Sequence, residues 1–168
     1  MLGTSATGFF TLRQGWQNSY EKERDREAQR WLVHREARRG AYSKLVSKHY
    51  EFDKLVEALW KSRSSENPQL ISDTEAVVSS LLELVTLVQL EGPPSVGLAA
   101  ESLGSADQDV ATELQELSFQ SRRQGFDRPL DAITGQVVRD IENLDAERGG
   151  KLENFIHAAR QAIGGESV

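Results

Sequence analysis

The chain has 168 residues, a net charge of −6 and no cysteine. With 38% hydrophobic and 27% charged residues, it is too apolar for a disordered chain and polar enough for long helices with one buried face. A disulfide framework, a thiolate nucleophile and a zinc–thiolate site are excluded, and no run approaches the roughly 18 apolar residues of a membrane span.

The opening stretch 1–13 is rich in Gly, Ser and Thr, with Phe9 and Phe10 adjacent, and is expected to fray. It has neither the basic start nor the apolar centre of a signal peptide. From Gln14 to Arg63 no proline occurs and helix formers dominate. Tyr42, Leu45, His49, Phe52, Val56 and Leu59 alternate steps of three and four, a heptad seam. Followed backward, the seam reaches Arg38, Arg35, Trp31 and Ala28, and its apolar character thins. The sequence therefore predicts one helix of about 50 residues, some 75 Å long at about 1.5 Å per residue. Its charged part, 14–39, is expected to project, and a bundle domain occupies 40–165.

Pro68 breaks the pattern, and Ser72-Asp73-Thr74-Glu75 matches a capping box, predicting a helix start near Asp73. The following VVSSLLELVTLVQL is apolar almost all round, as in a buried helix, with Leu81, Leu84, Val85 and Val88 in the core. Gly92-Pro93-Pro94 ends it. A short helix over 95–103, closed by Gly104, is expected next. Ser105-Ala106-Asp107-Gln108 is a second capping-box candidate for a helix over 106–124. The last helical region spans 128–163, with an interruption at Gly149-Gly150.

Charge is unevenly distributed. Residues 1–66 carry 13 Lys+Arg against 9 Asp+Glu, while 67–168 carry 7 against 17. Trp16, Tyr20, Trp31 and Leu32 lie on the charged half of the long helix, where a lone helix would leave large apolar side chains in water. With Arg35, Arg38 and Arg39 they form the candidate interaction surface. Of the three histidines, His49 occupies the seam itself, where a buried imidazole with a hydrogen-bond partner is expected. No His-x-x-x-His or Glu-x-x-His pair, phosphate loop or nucleophile elbow occurs. No catalytic, metal or cofactor residue is therefore assigned, and an enzyme is not expected.

The residues Arg38-Arg39-Gly40-Ala41-Tyr42, then Val85, Leu87, Gly92, Pro93, Val96, Ala99, Ala100 and Leu103, then Phe155, Ala158-Ala159-Arg160 and Gly164 follow an order that resembles a group of small uncharacterised helical proteins of actinobacteria. The resemblance spans roughly 38–165, departs at Gln89-Leu90-Glu91, and implies a helical fold and no activity. It also implies that a membrane helix can precede the basic helix, whose cations would then favour the cytoplasmic side.

The reading is thus an all-α, coiled-coil-like bundle built on one long N-terminal helix. Its expected role is a non-enzymatic interaction or scaffolding module, cytoplasmic, whose partner is a second copy or another helical protein. The alternative is a membrane-proximal or nucleic-acid-binding regulator using the Arg-rich helix 22–48. Because Glu23, Asp25, Glu27 and Glu36 sit among its cations, a solvated, salt-bridge-laced helix is the simpler expectation, with a membrane surface left open and nucleic acid not expected.

Overall fold

The computed structural model describes the backbone of residues 6–61, 67–124 and 135–164, and the side chains of 22–61, 68–120, 123 and 143–164. It contains four helices, α1 (Ala6–Lys61), α2 (Asn67–Glu91), α3 (Pro94–Gln124) and α4 (Gly135–Gly164), and no strand among the described residues. Two units divide the chain, Met1–Ala37 and Arg38–Val168. The all-α bundle founded on a long first helix is what the sequence predicts. None of the described helices is long and apolar enough to cross a membrane.

The second unit is an antiparallel four-helix bundle. Leu59 near the end of α1 meets Ile71 near the start of α2, while Arg38 reaches the carbonyl of Glu91 at the end of α2. The α3 helix runs back beside α2, with Gly97 against Gln89 and Gln115 hydrogen-bonded to Glu75. The α4 helix opposes α1, with Leu144 near Trp60 and Phe155 edge-on to Tyr42 at 6.0 Å between centroids. This up-down-up-down order needs only short connections.

The seam of α1 builds the core. Tyr42, Leu45, His49, Phe52, Val56 and Leu59 are all buried, so the heptad reading of this half holds residue by residue. Facing them are Leu81, Val85 and Val88 from α2, Val96, Ala100, Leu103 and Leu114 from α3, and Phe155 and Ala159 from α4.

Helix starts and interruptions differ from expectation. The α2 helix begins at Asn67, with Pro68 in its first turn, where its missing N–H costs nothing. The Ser72–Glu75 box therefore does not cap. Thr74 is buried inside the helix and its Oγ1 donates to the Leu70 carbonyl at 2.7 Å. The α3 helix is continuous from Pro94 to Gln124 rather than divided at Gly104. A Cβ at Gly104 would lie 2.9 Å from Val85 Cγ2, so this glycine lets α2 and α3 approach closely instead of ending a helix. The α4 helix passes through Gly149-Gly150 unbroken. Each glycine there costs about 1 kcal/mol relative to Ala, and buried Arg148, Phe155 and Ala159 on either side hold the helix together. The part of the last region over 128–134 lies outside the described residues.

Between α2 and α3 the connection is only Gly92 and Pro93. Gly92 N–H donates to the Val88 carbonyl at 2.8 Å, closing α2, and the Pro93 carbonyl accepts from Val96 and Gly97, opening α3 with Pro94 in its first position. Gly92 is required here, since a Cβ would sit 2.7 Å from the Tyr42 hydroxyl oxygen.

The α2 helix is not buried all round. Thr74, Val78, Leu81, Val85 and Val88, in steps of four and three, form its inner seam. A second seam with the same steps, Ala76, Ser80, Glu83, Leu87 and Leu90, lies on the outside, with only Ser80 half-buried. Leu87 is 37% and Leu90 79% exposed. Leu84, expected in the core, is half-buried.

Candidate functional sites: a buried ionic cluster and an exposed tryptophan segment

His49 on the α1 seam is joined inside the bundle by Asp107 from α3 and Arg148 from α4, all three buried. His49 Nδ1 lies 2.9 Å from Asp107 Oδ2 and, with that carboxyl ionised, donates to it. The opposite ring nitrogen, Nε2, is 3.7 Å from Asp53 Oδ2, one helical turn further along α1. Arg148 Nη2 donates to Asp53 Oδ1 at 2.5 Å, and Arg148 Nε lies 3.8 Å from Asp107 Oδ1. The guanidinium also stands 5.3 Å from the Phe52 ring centre, a cation–π contact, and 3.4 Å from Asp145.

The electrostatics of this cluster are finely opposed. Burial pushes the Asp107 carboxyl above its ordinary range. The hydrogen bond and charge of His49 and the charge of Arg148 pull it down, while the Asp53 carboxylate adds to the upward push. Asp107 Oδ1 and Arg148 Nη1 make no hydrogen bond although both are buried.

Chemically, the His49–Asp107 pair resembles the orienting half of a general-base couple, but Asp107 is sealed from solvent and His49 nearly so. The groove of about 440 Å³ between α3 and α4 is lined by Leu98, Glu101, Ser105, Asp109, Glu147 and Lys151, and none of the cluster residues opens into it. Among the described residues no group of His, Asp and Glu could hold a metal ion. The cluster joins α1, α3 and α4 inside the bundle.

The sequence places Asp107 in a capping box. The structure instead turns it inward to His49, 58 positions away, with Arg148 reaching Asp53 across 95. The seam position of His49 was the available signal. Its partners carry no local pattern that points to His49.

In the first unit, α1 presents Trp31, Leu32 and Val33 at 37%, 52% and 67% exposure. Half-buried Arg35 lies over the Trp31 ring at 5.2 Å, so these two residues of the predicted surface act together. Arg39 is exposed. Arg38 belongs to the bundle instead, its Nε donating to the Glu91 carbonyl at 2.7 Å, where a cation complements the C-terminal end of a helix. Trp16 and Tyr20 belong to α1, but their side chains lie outside the described ones.

No family model, no curated protein and no solved structure matches this chain.

Proposed function

We propose that this protein is a non-enzymatic interaction module that self-associates through residues 22–39 of α1. The observation that carries this reading is the run of three exposed apolar residues, Trp31, Leu32 and Val33, on a segment otherwise made of charged, polar and small side chains. A soluble helix that leaves a tryptophan and two aliphatic neighbours in water invites a covering partner. The segment holds seven Lys+Arg and four Asp+Glu, a mixture that limits non-specific collapse and can pair with charges on another helix. Symmetric self-association is the commonest way for one chain to supply the missing cover.

Sedimentation tests this reading. The protein should be dimeric at micromolar concentration, and Trp31→Glu should yield a monomer with its helical content kept. A wild-type monomer would overturn it. Steeply salt-dependent binding of duplex DNA or of anionic vesicles, abolished by Arg35→Glu with Arg39→Glu, would instead favour the regulator reading of helix 22–48.

A further inference from the structure

We infer that the outer seam of α2 is the surface on which the Trp31 segment of a second copy docks, as an antiparallel helix. This inference rests on the self-association proposed above and names the face that receives the segment.

Three observations point to α2. Leu87 and Leu90, neighbours at helical spacing on its outer face, stand exposed. A face so spaced fits another helix better than a small ligand or an extended peptide. Secondly, residues 67–121 contain nine Asp+Glu and no Lys or Arg. Exposed Glu83 lies on the seam itself, one turn from Leu87 and two from Leu90. Although Arg38 of α1 is tied to the Glu91 carbonyl at the C-terminal end of α2, the charged side chain on the seam beside Leu87 is the exposed carboxylate of Glu83, and this selects a cationic partner. Within this chain, 22–39 combines exposed apolar side chains with an excess of cations.

Thirdly, the two seams match in register. Running backward along the heptad of α1, Ala28, Trp31 and Arg35 step by three and four. Read from its C-terminal end, the outer seam of α2 runs Leu90, Leu87, Glu83 with the same steps. Antiparallel pairing therefore sets Ala28 opposite Leu90, Trp31 opposite Leu87, and Arg35 opposite Glu83. Each pair is small against large, apolar against apolar, or cation against carboxylate. Parallel pairing on the same steps would set Trp31 against Glu83 and Arg35 against Leu87, which satisfies neither. The stacking of Arg35 on Trp31 already presents these two side chains together. Reciprocal exchange of the segment between two copies gives two equal contacts and a closed dimer, whereas a one-way exchange would propagate.

Because the natural chain has no cysteine, single cysteines report the pairing directly. Ala28→Cys and isotope-labelled Leu90→Cys proteins are mixed in equal amounts and treated with a short bismaleimide. The expected product is a mixed dimer joined between positions 28 and 90. Glu83→Lys should weaken dimerisation by about tenfold or more, and adding Arg35→Glu to it should restore most of the loss. Products joined only between two copies of position 28, or a Glu83→Lys dimer of undiminished affinity while Trp31→Glu is monomeric, would overturn the α2 assignment and leave self-association standing. A wild-type monomer would overturn both.

Discussion

The two described stretches of α1 obey the same heptad period but fill it differently. Over 42–59 the seam positions hold Tyr, Leu, His, Phe, Val and Leu, and three helices cover them. Over 24–35 they hold Arg24, Ala28, Trp31 and Arg35, and Trp31 with its neighbours Leu32 and Val33 remains exposed. Periodicity alone therefore makes a helix with a favoured side. The apolar volume placed on that side decides whether the chain's own helices bury it. A single large residue between small and charged ones cannot repay the ordering of three helices around it.

The contrast can be broken most forcefully in the buried half. Phe52 is fully buried beneath the Arg148 guanidinium. Phe52→Ala should lower the unfolding free energy by roughly 3–5 kcal/mol, read from the urea midpoint. A change near zero would mean that the covered seam contributes no more than the open one.

The ionic cluster comes next. Asp107→Ala leaves Arg148 and His49 without their buried carboxylate and should cost about 3 kcal/mol or more, whereas Asp107→Asn preserves an acceptor for His49 and should cost less. The two also differ in pH dependence. The folded Asp107 carboxyl titrates above its ordinary value of 3.8. Its stabilising contribution is therefore complete below that value and lost as pH rises through the higher folded one. Relative to Asp107→Asn, the wild-type protein should lose stability as pH rises from about 4. Parallel urea-midpoint profiles for the two proteins would contradict this assignment of the proton.

Smaller effects separate glycines that look alike in sequence. At Gly104 an added methyl meets Val85, so Gly104→Ala should destabilise by about 1–3 kcal/mol. At Gly150 a Cβ would meet nothing within 4 Å, and Gly150→Ala should stabilise by up to about 1 kcal/mol. Thermal midpoints moving the same way in both variants would refute the distinction. Smallest of all should be the effect of Trp31→Glu on the bundle itself, within about 0.5 kcal/mol when measured on the monomer. A larger loss would show that the exposed stretch is part of the folded core after all.

The bundle was legible because its information is local. Seam spacing, proline positions and the Gly-Pro turn each act over a few residues, and the helix order and most core positions follow from them. The ionic cluster was hidden because its members lie far apart in sequence and each has an ordinary local explanation. Asp107 satisfies a capping pattern, and Arg148 stands beside two glycines that look like a break. Apparent interruptions mislead for the same reason. Gly104 and Gly149-Gly150 carry a backbone penalty visible in sequence, while the packing that offsets it involves other helices. On α1, Trp31, Leu32 and Arg39 are exposed and Arg35 is half-buried over the Trp31 ring. The use of Arg38 at the end of α2 needed the tertiary contact to be seen.

The two-residue connection at Gly92 and Pro93 also sets a sequence of events in time. Because α2 and α3 are neighbours along the chain and interlock at Gly104 and Val85, bringing them together closes a very short loop, while the contacts of Arg148 with Asp53 close one of 95 residues. Loop-closure entropy favours the first strongly over the second. The α2–α3 hairpin is thus expected to form early and the Arg148–Asp53 contact late. Destabilisation at Val85 should then slow refolding, and destabilisation at Arg148 should chiefly hasten unfolding. The cluster that joins α1, α3 and α4 would act as a latch on the finished bundle, governing how long it stays closed rather than how quickly it forms.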